Sequence, residues 1–431
     1  MFQADPARLI GRVIRRIKRS PIVYGFSIII AANLARQLLQ LVSLVIIARF
    51  LGTTQFGEFA SIVAVVGIVA AFAGWGSDQL VVRTVAQDRR SFSQAVSSGL
   101  TFYGLSAPAL IALCSVAIPT IFRSFTSITV VFPIALSDIL FTRLNVFAGA
   151  CYQARHEAKA TASNNLSFSA VRLIAVGIWL LTVPRYSLTS WAWFYCLSSG
   201  IAGLLSIGRL LRKVDLTRWH VEWHEWKDGF LFSLQMASFS AFRDTDKPIV
   251  SYLSSPSTVG IYAAAFRISD AAAMPIRALM YATFPHFFRH AKTGQHHSLE
   301  FAIKILPAAL VMGVAAGATL VGVAPLVPSI FGTTYLPARS LLVILAGLPL
   351  LYGLYYLAGD VLISTGYIWL RGCLQIAMPV LDIALCFALV PSYGAAGAAV
   401  ATMLSHLSLA AASWIAVAII VKSRVVQETP R

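Results

Sequence analysis

Residues 22–50 read IVYGFSIIIAANLARQLLQLVSLVIIARF, a stretch with only two charged side chains, Arg36 and Arg49. Basic residues precede it, as they do in a secretory signal, but the apolar core of a signal runs for only about 7–15 residues. A hydrocarbon layer about 30 Å thick takes roughly 20 apolar residues to cross as a helix. The stretch is long enough to be a span that stays in the chain, and Arg36 lies near its middle.

The remainder repeats this pattern. Of 431 residues, 58% are hydrophobic and 12% charged, with a mean hydropathy of +0.76. A soluble domain carries about 25% charged residues. Apolar runs lie near 22–49, 58–82, 93–118, 127–151, 161–183 and 188–211, then near 229–253, 258–284, 299–327, 338–363, 367–390 and 394–421. Pro108 and Pro307 fall inside the third and ninth, where an interruption is expected. The expected fold is an all-α polytopic membrane protein of about twelve transmembrane helices, with no soluble domain large enough for a separate activity.

The net charge of +17 does not point to nucleic acid. The basic residues sit mainly in short loops between apolar runs, the pattern that orients membrane proteins. The two tails and alternate connections hold twenty-one Lys and Arg, and the remaining connections hold four, Arg49, Arg123, Arg185 and Arg339. This asymmetry places both termini in the cytoplasm. Residues 1–21 carry apolar positions at helical spacing among arginines and read as a basic amphipathic segment on anionic lipid. Residues 212–228 read as a cytoplasmic interfacial linker between helices 1–6 (22–211) and helices 7–12 (229–421), with 422–431 a cytoplasmic tail. Its stretch Trp219 to Trp226 (WHVEWHEW) fits an aromatic anchor. His220 and His224 within it also have the spacing of a metal pair, while His296 and His297 read as a solvated loop. Cys114, Cys151, Cys196, Cys373 and Cys386 form no CxxC pair and read as small core residues.

The halves also resemble each other. Shifted by 203 residues, Phe50 meets Leu253, Phe56 meets Val259, Gly57 meets Gly260, Phe59 meets Tyr262 and Ala60 meets Ala263. Two six-helix halves with both N-termini inside are parallel repeats, a transporter plan with its site at the repeat interface.

The informative residues are the ionisable groups deep in the apolar runs. Arg36, Asp78, Asp138, Arg143, Arg172, Arg243, Asp244, Asp246, Lys247, Arg267, Asp270, Arg277, Lys304, Asp360, Arg371, Asp382 and His406 are all of this kind. A charge facing lipid at mid-span costs about 2.5–3.5 kcal/mol, and a dozen such costs exceed a folding margin of about 5–15 kcal/mol. These side chains must therefore face one another or a water-filled cavity. Arg243 with Asp244, and Arg267 with Asp270, are close enough in the chain to pair with each other or, equally, to face the cavity. Arg36 has no acidic residue within a turn and lies too far from either surface to snorkel. It is expected on a cavity wall, where a guanidinium suits phosphate oxygens. Asp78, then Asp360 and Asp382, are the candidates for a coupling proton or sodium ion, or else partners of neighbouring arginines. No Walker loop, GxGxxG, GxSxG or HExxH occurs, so no catalytic, metal or cofactor residue is assigned.

Phe50-Leu51-Gly52…Phe56-Gly57, then Gly74-Trp75-Gly76-Ser77-Asp78…Val82-Arg83, resembles the opening of polysaccharide flippases of the Wzx type. These belong to the multidrug, oligosaccharidyl-lipid and polysaccharide exporter superfamily. Asp244-Thr245-Asp246-Lys247, Val259-Gly260-Ile261-Tyr262 and Ala265-Phe266-Arg267-Ile268 are similar to that family's seventh and eighth helices. Phe331-Gly332…Tyr335…Ala338 and Pro391 to Ala399 look like its closing segments. The resemblance covers roughly 22–421. It implies two six-helix lobes related by a pseudo-two-fold axis, forming a V with a central cationic cavity, in a bacterial inner membrane. It also implies that Arg36, Arg243, Arg267 and Arg277 face the substrate. That substrate would be an undecaprenyl-diphosphate-linked oligosaccharide, moved for exopolysaccharide or O-antigen biosynthesis beside glycan polymerase and export machinery. A multidrug exporter of the same superfamily and a membrane-embedded glycan-modifying enzyme are the alternatives.

Overall fold

The computed structural model describes residues 21–122, 127–215, 226–291 and 295–428. The basic segment before Pro21 and the stretch from Trp219 to Glu225, with His220 and His224, lie outside these. Among the described residues there is no strand.

Helix α1 (Pro21–Ala70) is broken into two arms at Gly52 (φ 71°, ψ 176°). A side chain would clash at these angles, so glycine is required there. A turn through Gly74, Trp75 and Gly76, all with positive φ, leads to α2 (Ser77–Gln87). There follow α3 (Phe92–Ile121), α4 (Ile128–Ala135), a π-helical stretch Leu136–Thr142, and α5 (Arg143–Ala154). Helices α6 (Ala158–Thr182) and α7 (Leu188–Leu211) complete the first bundle. Helix α7 starts sharply because Ser187 and Ser190 cap it reciprocally.

The second bundle begins with α8 (Trp226–Asp244) and α9 (Asp246–Leu253). Next come α10 (Pro256–Ala272) and α11 (Met274–Ala291). Ser255 caps α10 by accepting from the Thr258 N–H at 3.2 Å, with Pro256 in the first turn. Then follow α12 (Gln295–Val323), α13 (Val327–Phe331), α14 (Ala338–Ile344) and α15 (Leu348–Ser364). Finally α16 (Ile368–Glu428) is broken at Gly394 (φ 53°, ψ −129°).

Eight of the described helical stretches are long and apolar enough to cross a membrane, two of them containing the breaks at Gly52 and Gly394. The residues of α8–α9 and α10–α11 fall outside that eight, being charged at mid-length and broken near Thr245 and Ala273. Pro108 and Pro307 do not interrupt their helices, contrary to the sequence expectation. In a bundle, one freed carbonyl is re-satisfied by local adjustment and neighbouring groups.

The large buried side chains lie inside the bundles: Trp179, Trp191, Tyr103 and Phe147 in the first, Tyr262, Phe287, Phe331 and Tyr335 in the second. The outer surface is apolar, with Leu181 87% exposed and Val311 68% exposed. Apolar area on that scale marks contact with lipid rather than water.

The bundles touch along α1 and the turn that follows it, and two of the contacts are close backbone approaches. In the first, a Cβ on Gly57 would fall 1.7 Å from the Pro256 carbonyl oxygen, and one on Gly260 would fall 1.9 Å from that of Thr53. Thr53 and Pro256 are themselves one 203-residue shift apart, so the contact is reciprocal. Ser257 Oγ donates to Thr53 Oγ1 at 2.8 Å beside it. Nearby, Arg49 donates to the Ser329 and Ile330 carbonyls at 2.9 and 3.0 Å, and Tyr335 to the Ala48 carbonyl at 3.0 Å. The second contact lies beyond Ala70, roughly 20 Å along α1 from the first. There a Cβ on Gly76 would meet the Gly229 carbonyl oxygen at 2.3 Å, and Arg83 pairs with Asp228 at 2.6 Å.

Candidate functional site

A cavity of about 610 Å³ lies between the bundles. On the first arm of α1, Asn33, Arg36, Gln37 and Gln40 line it; their spacing puts them on one face of the helix. Phe56 and Phe59 from the second arm, Arg172 from α6 and Tyr195 from α7 complete that wall. The facing wall holds Arg243 of α8, Asp246 of α9, Arg267 and Asp270 of α10, and Arg277 and Tyr281 of α11. Tyr352, Tyr355 and Tyr356 of α15, with Asp382, Thr402 and His406 of α16, close it.

The charges are arranged unevenly. Asp270 is shared by two guanidinium groups, accepting from Arg277 at 2.7 Å and from Arg243 at 3.4 Å. Asp244 meets Lys247 at 2.8 Å and Arg267 at 3.6 Å. Of the two readings left open for these neighbours, pairing within each set is not the one adopted among the described residues. Arg243 and Arg267 instead exchange partners between α8 and α10, because adjacent helix residues point in different directions and Asp270 is taken by Arg277 as well.

Lys247 is 1% exposed and saturated by protein. Its Nζ reaches Asp244 at 2.8 Å, Asp246 at 3.1 Å and the Arg243 carbonyl at 3.3 Å, and lies 4.5 Å over the Phe266 ring. Asp246 also accepts from the Tyr262 hydroxyl, which in turn meets Thr402 at 2.7 Å. Asp382 accepts from Ser405 at 3.2 Å, and the His406 ring is held at the Thr402 carbonyl at 2.9 Å.

Arg36 differs from the rest. Its Nε is buried without a hydrogen-bond partner, and no carboxylate pairs with it among the described residues. It lies close enough to Arg243 for the two positive charges to repel. Five arginines and three aspartates line the cavity, and Asp246 is already engaged by Lys247. The lining is therefore cationic, with Arg36 its least compensated charge.

All four arginines expected to face substrate, Arg36, Arg243, Arg267 and Arg277, thus meet in one cavity, and Asp382 joins them. Asp78 and Asp360 do not line it. Asp78 is buried against Arg143 at 3.0 Å, and Asp360 against Arg371 at 3.3 Å. Sequence reading did not assign Arg172 to the site. Its guanidinium donates to Ser199 at 2.7 Å and stacks 4.1 Å over Tyr195, whose hydroxyl donates to Asp138 at 2.8 Å. Asp138 stands on the π-helical stretch, a feature frequent at functional sites. The amides Asn33, Gln37 and Gln40 were also missed. Their signal was polar side chains at i, i+4 and i+7 in an otherwise apolar span.

A family model described as "Polysaccharide biosynthesis protein" matches residues 22–291, more than half of the chain. Among solved structures, the chain is similar to an inward-facing multidrug resistance MATE family transporter of the MOP superfamily. The TM-score is 0.78 at 14% identity, over 91% of this chain and 96% of that one. Lipid II flippase MurJ in an inward closed conformation gives 0.72 at 15% identity, over 90% and 86%. An outward-facing MATE transporter gives 0.62 at 14% identity, over 94% and 96%. At these identities the likeness is one of fold, an all-helical, two-lobe, multi-pass membrane architecture. No curated protein matches the sequence.

Proposed function

Since this chain belongs to the polysaccharide biosynthesis protein family, we propose that it is a flippase for a polyprenyl-diphosphate-linked oligosaccharide in the bacterial inner membrane, serving exopolysaccharide or O-antigen biosynthesis. The observation that carries this reading is the cationic cavity between the lobes, with Arg36 lacking a carboxylate partner among the described residues. An arginine cluster out of bulk water binds a diphosphate through charge-assisted, forked hydrogen bonds. A cationic drug, the cargo of a multidrug exporter, would be repelled by the same wall.

Twelve crossings follow when α1 and α16 count as two each and α8–α9 and α10–α11 as one each, with both termini in the cytoplasm. Transport by alternating access requires the cavity to open to each side in turn, and the higher similarity to an inward-facing relative supports an inward state here. Substrate would enter with its diphosphate at the arginines while the polyprenyl chain stays in lipid. Asp382, in the cavity beside Asp246 and Thr402, is the favoured site for a coupling proton or sodium ion. The protein is not an enzyme in this reading.

Deleting the gene tests the proposal. Lipid-linked glycan is expected to accumulate on the cytoplasmic leaflet, and restored export requires the intact arginine set. Glycan that reaches the outside but stays unpolymerised or unmodified would overturn it in favour of a membrane-embedded enzyme.

A further inference from the structure

Resting on the reading above, we infer that the cavity contains a carbohydrate slot beside the arginines, formed by the amide face of α1 and the tyrosines of α11 and α15. A pyranose ring has apolar C–H faces and a rim of hydroxyls. It is held best by flat aromatic surface on one side and by groups that both donate and accept hydrogen bonds on the other. The cavity has both.

The aromatic wall is Tyr281 and Tyr356, backed by the buried Tyr352. Tyrosine offers a large, rigid, amphipathic surface at small entropic cost. The Tyr352 and Tyr356 rings are 6.3 Å apart between centroids, and Tyr281 is 69% exposed. Arg277 joins this wall to the anion-binding end. Its guanidinium carbon lies 5.9 Å over the Tyr352 ring while its Nη1 donates to Asp270 at 2.7 Å. A sugar bonded directly to a diphosphate held at Arg277 would therefore meet the tyrosines next.

The polar wall is Asn33, Gln37 and Gln40, on the helix face that also presents Arg36. These three amides hydrogen-bond to no other described residue, although they sit within a span. An anion would use only the donor half of each amide and an apolar cargo neither half, whereas a hydroxyl-bearing ring can use both. Together, the amides and rings exceed what a diphosphate alone needs. They match the sugars nearest to it.

The test compares two probes on the purified full chain: a polyprenyl diphosphate, and the same lipid carrying one hexose on the diphosphate. The wild type is expected to bind the glycosylated probe more tightly. A Gln37→Leu/Gln40→Leu double variant and a Tyr356→Leu variant are expected to reduce that preference by about tenfold, as the loss of one or two modest hydrogen bonds or a ring face predicts. Arg36→Leu weakens both probes alike. Thermal unfolding of each variant establishes that it is folded, and Gln40→Asn is expected to keep part of the preference. Equal affinity of the wild type for the two probes, or an unchanged preference in the folded leucine variants, overturns the slot and leaves the flippase reading standing. Failure of the wild type to bind either probe overturns both.

Discussion

At the scale of single residues, the decisive contrast is between charges the protein neutralises and one it does not. Arg36→Ala is expected to cut glycan export at least tenfold, with expression and membrane insertion unchanged, because it removes charge-assisted bonds to substrate and breaks no internal pair. Measuring surface glycan against membrane-inserted protein checks this. Asp78→Asn should act through stability instead. It leaves the buried Arg143 without its partner, a loss of about 3–5 kcal/mol for a buried pair, read as a large fall in thermal stability of the purified protein. Asp382→Asn, with no guanidinium partner among the described residues, should fold normally but lose the dependence of transport on a proton or sodium gradient. That charges at mid-span had to be paired or to face water was legible from cost alone. Which fate befell Asp78 was not, since its partner lies 65 positions away in the chain.

At the scale of elements, most helices could be read from the sequence because twenty apolar residues leave few alternatives in lipid. The breaks were harder to see. Gly74-Trp75-Gly76 reads as part of an apolar run, yet all three residues take positive φ and split the second span. Only the packing explains it: a Cβ at Gly74 would fall 2.2 Å from the Tyr103 ring, and one at Gly76 would strike the Gly229 carbonyl. Conversely Pro108 and Pro307, the plainest breakers in the sequence, leave their helices intact. The reciprocal seam at Gly57 and Gly260 gives a direct test of whether the lobes part during transport. In a Cys373→Ser background, which removes the exposed native thiol, Thr53→Cys with Ser257→Cys is expected to form a disulfide, since the native hydroxyl oxygens are 2.8 Å apart. Transport should stop under oxidising conditions and return on reduction. Full activity of the cross-linked protein would mean that this seam stays shut throughout the cycle.

At the scale of the whole molecule, reporter fusions at the two ends should both report the cytoplasm; a split result would remove the twelve-crossing arrangement. The all-helical, two-lobe architecture was available from the apolar runs and the 203-residue echo, because both reflect how a chain folds within a bilayer. The cavity's lining was only partly available. Arginines announce themselves in an apolar run, whereas Tyr281, Tyr352 and Tyr356 are unremarkable there until folding brings them beside Arg277. The glycine seam carries one more consequence. Each half offers the other the same backbone patch, a small residue received by a helix's opening turn, which makes the joint isologous in the manner of a C2 homodimer. The symmetry stops at the joint: beside it, one half presents amides to the cavity and the other arginine and tyrosine.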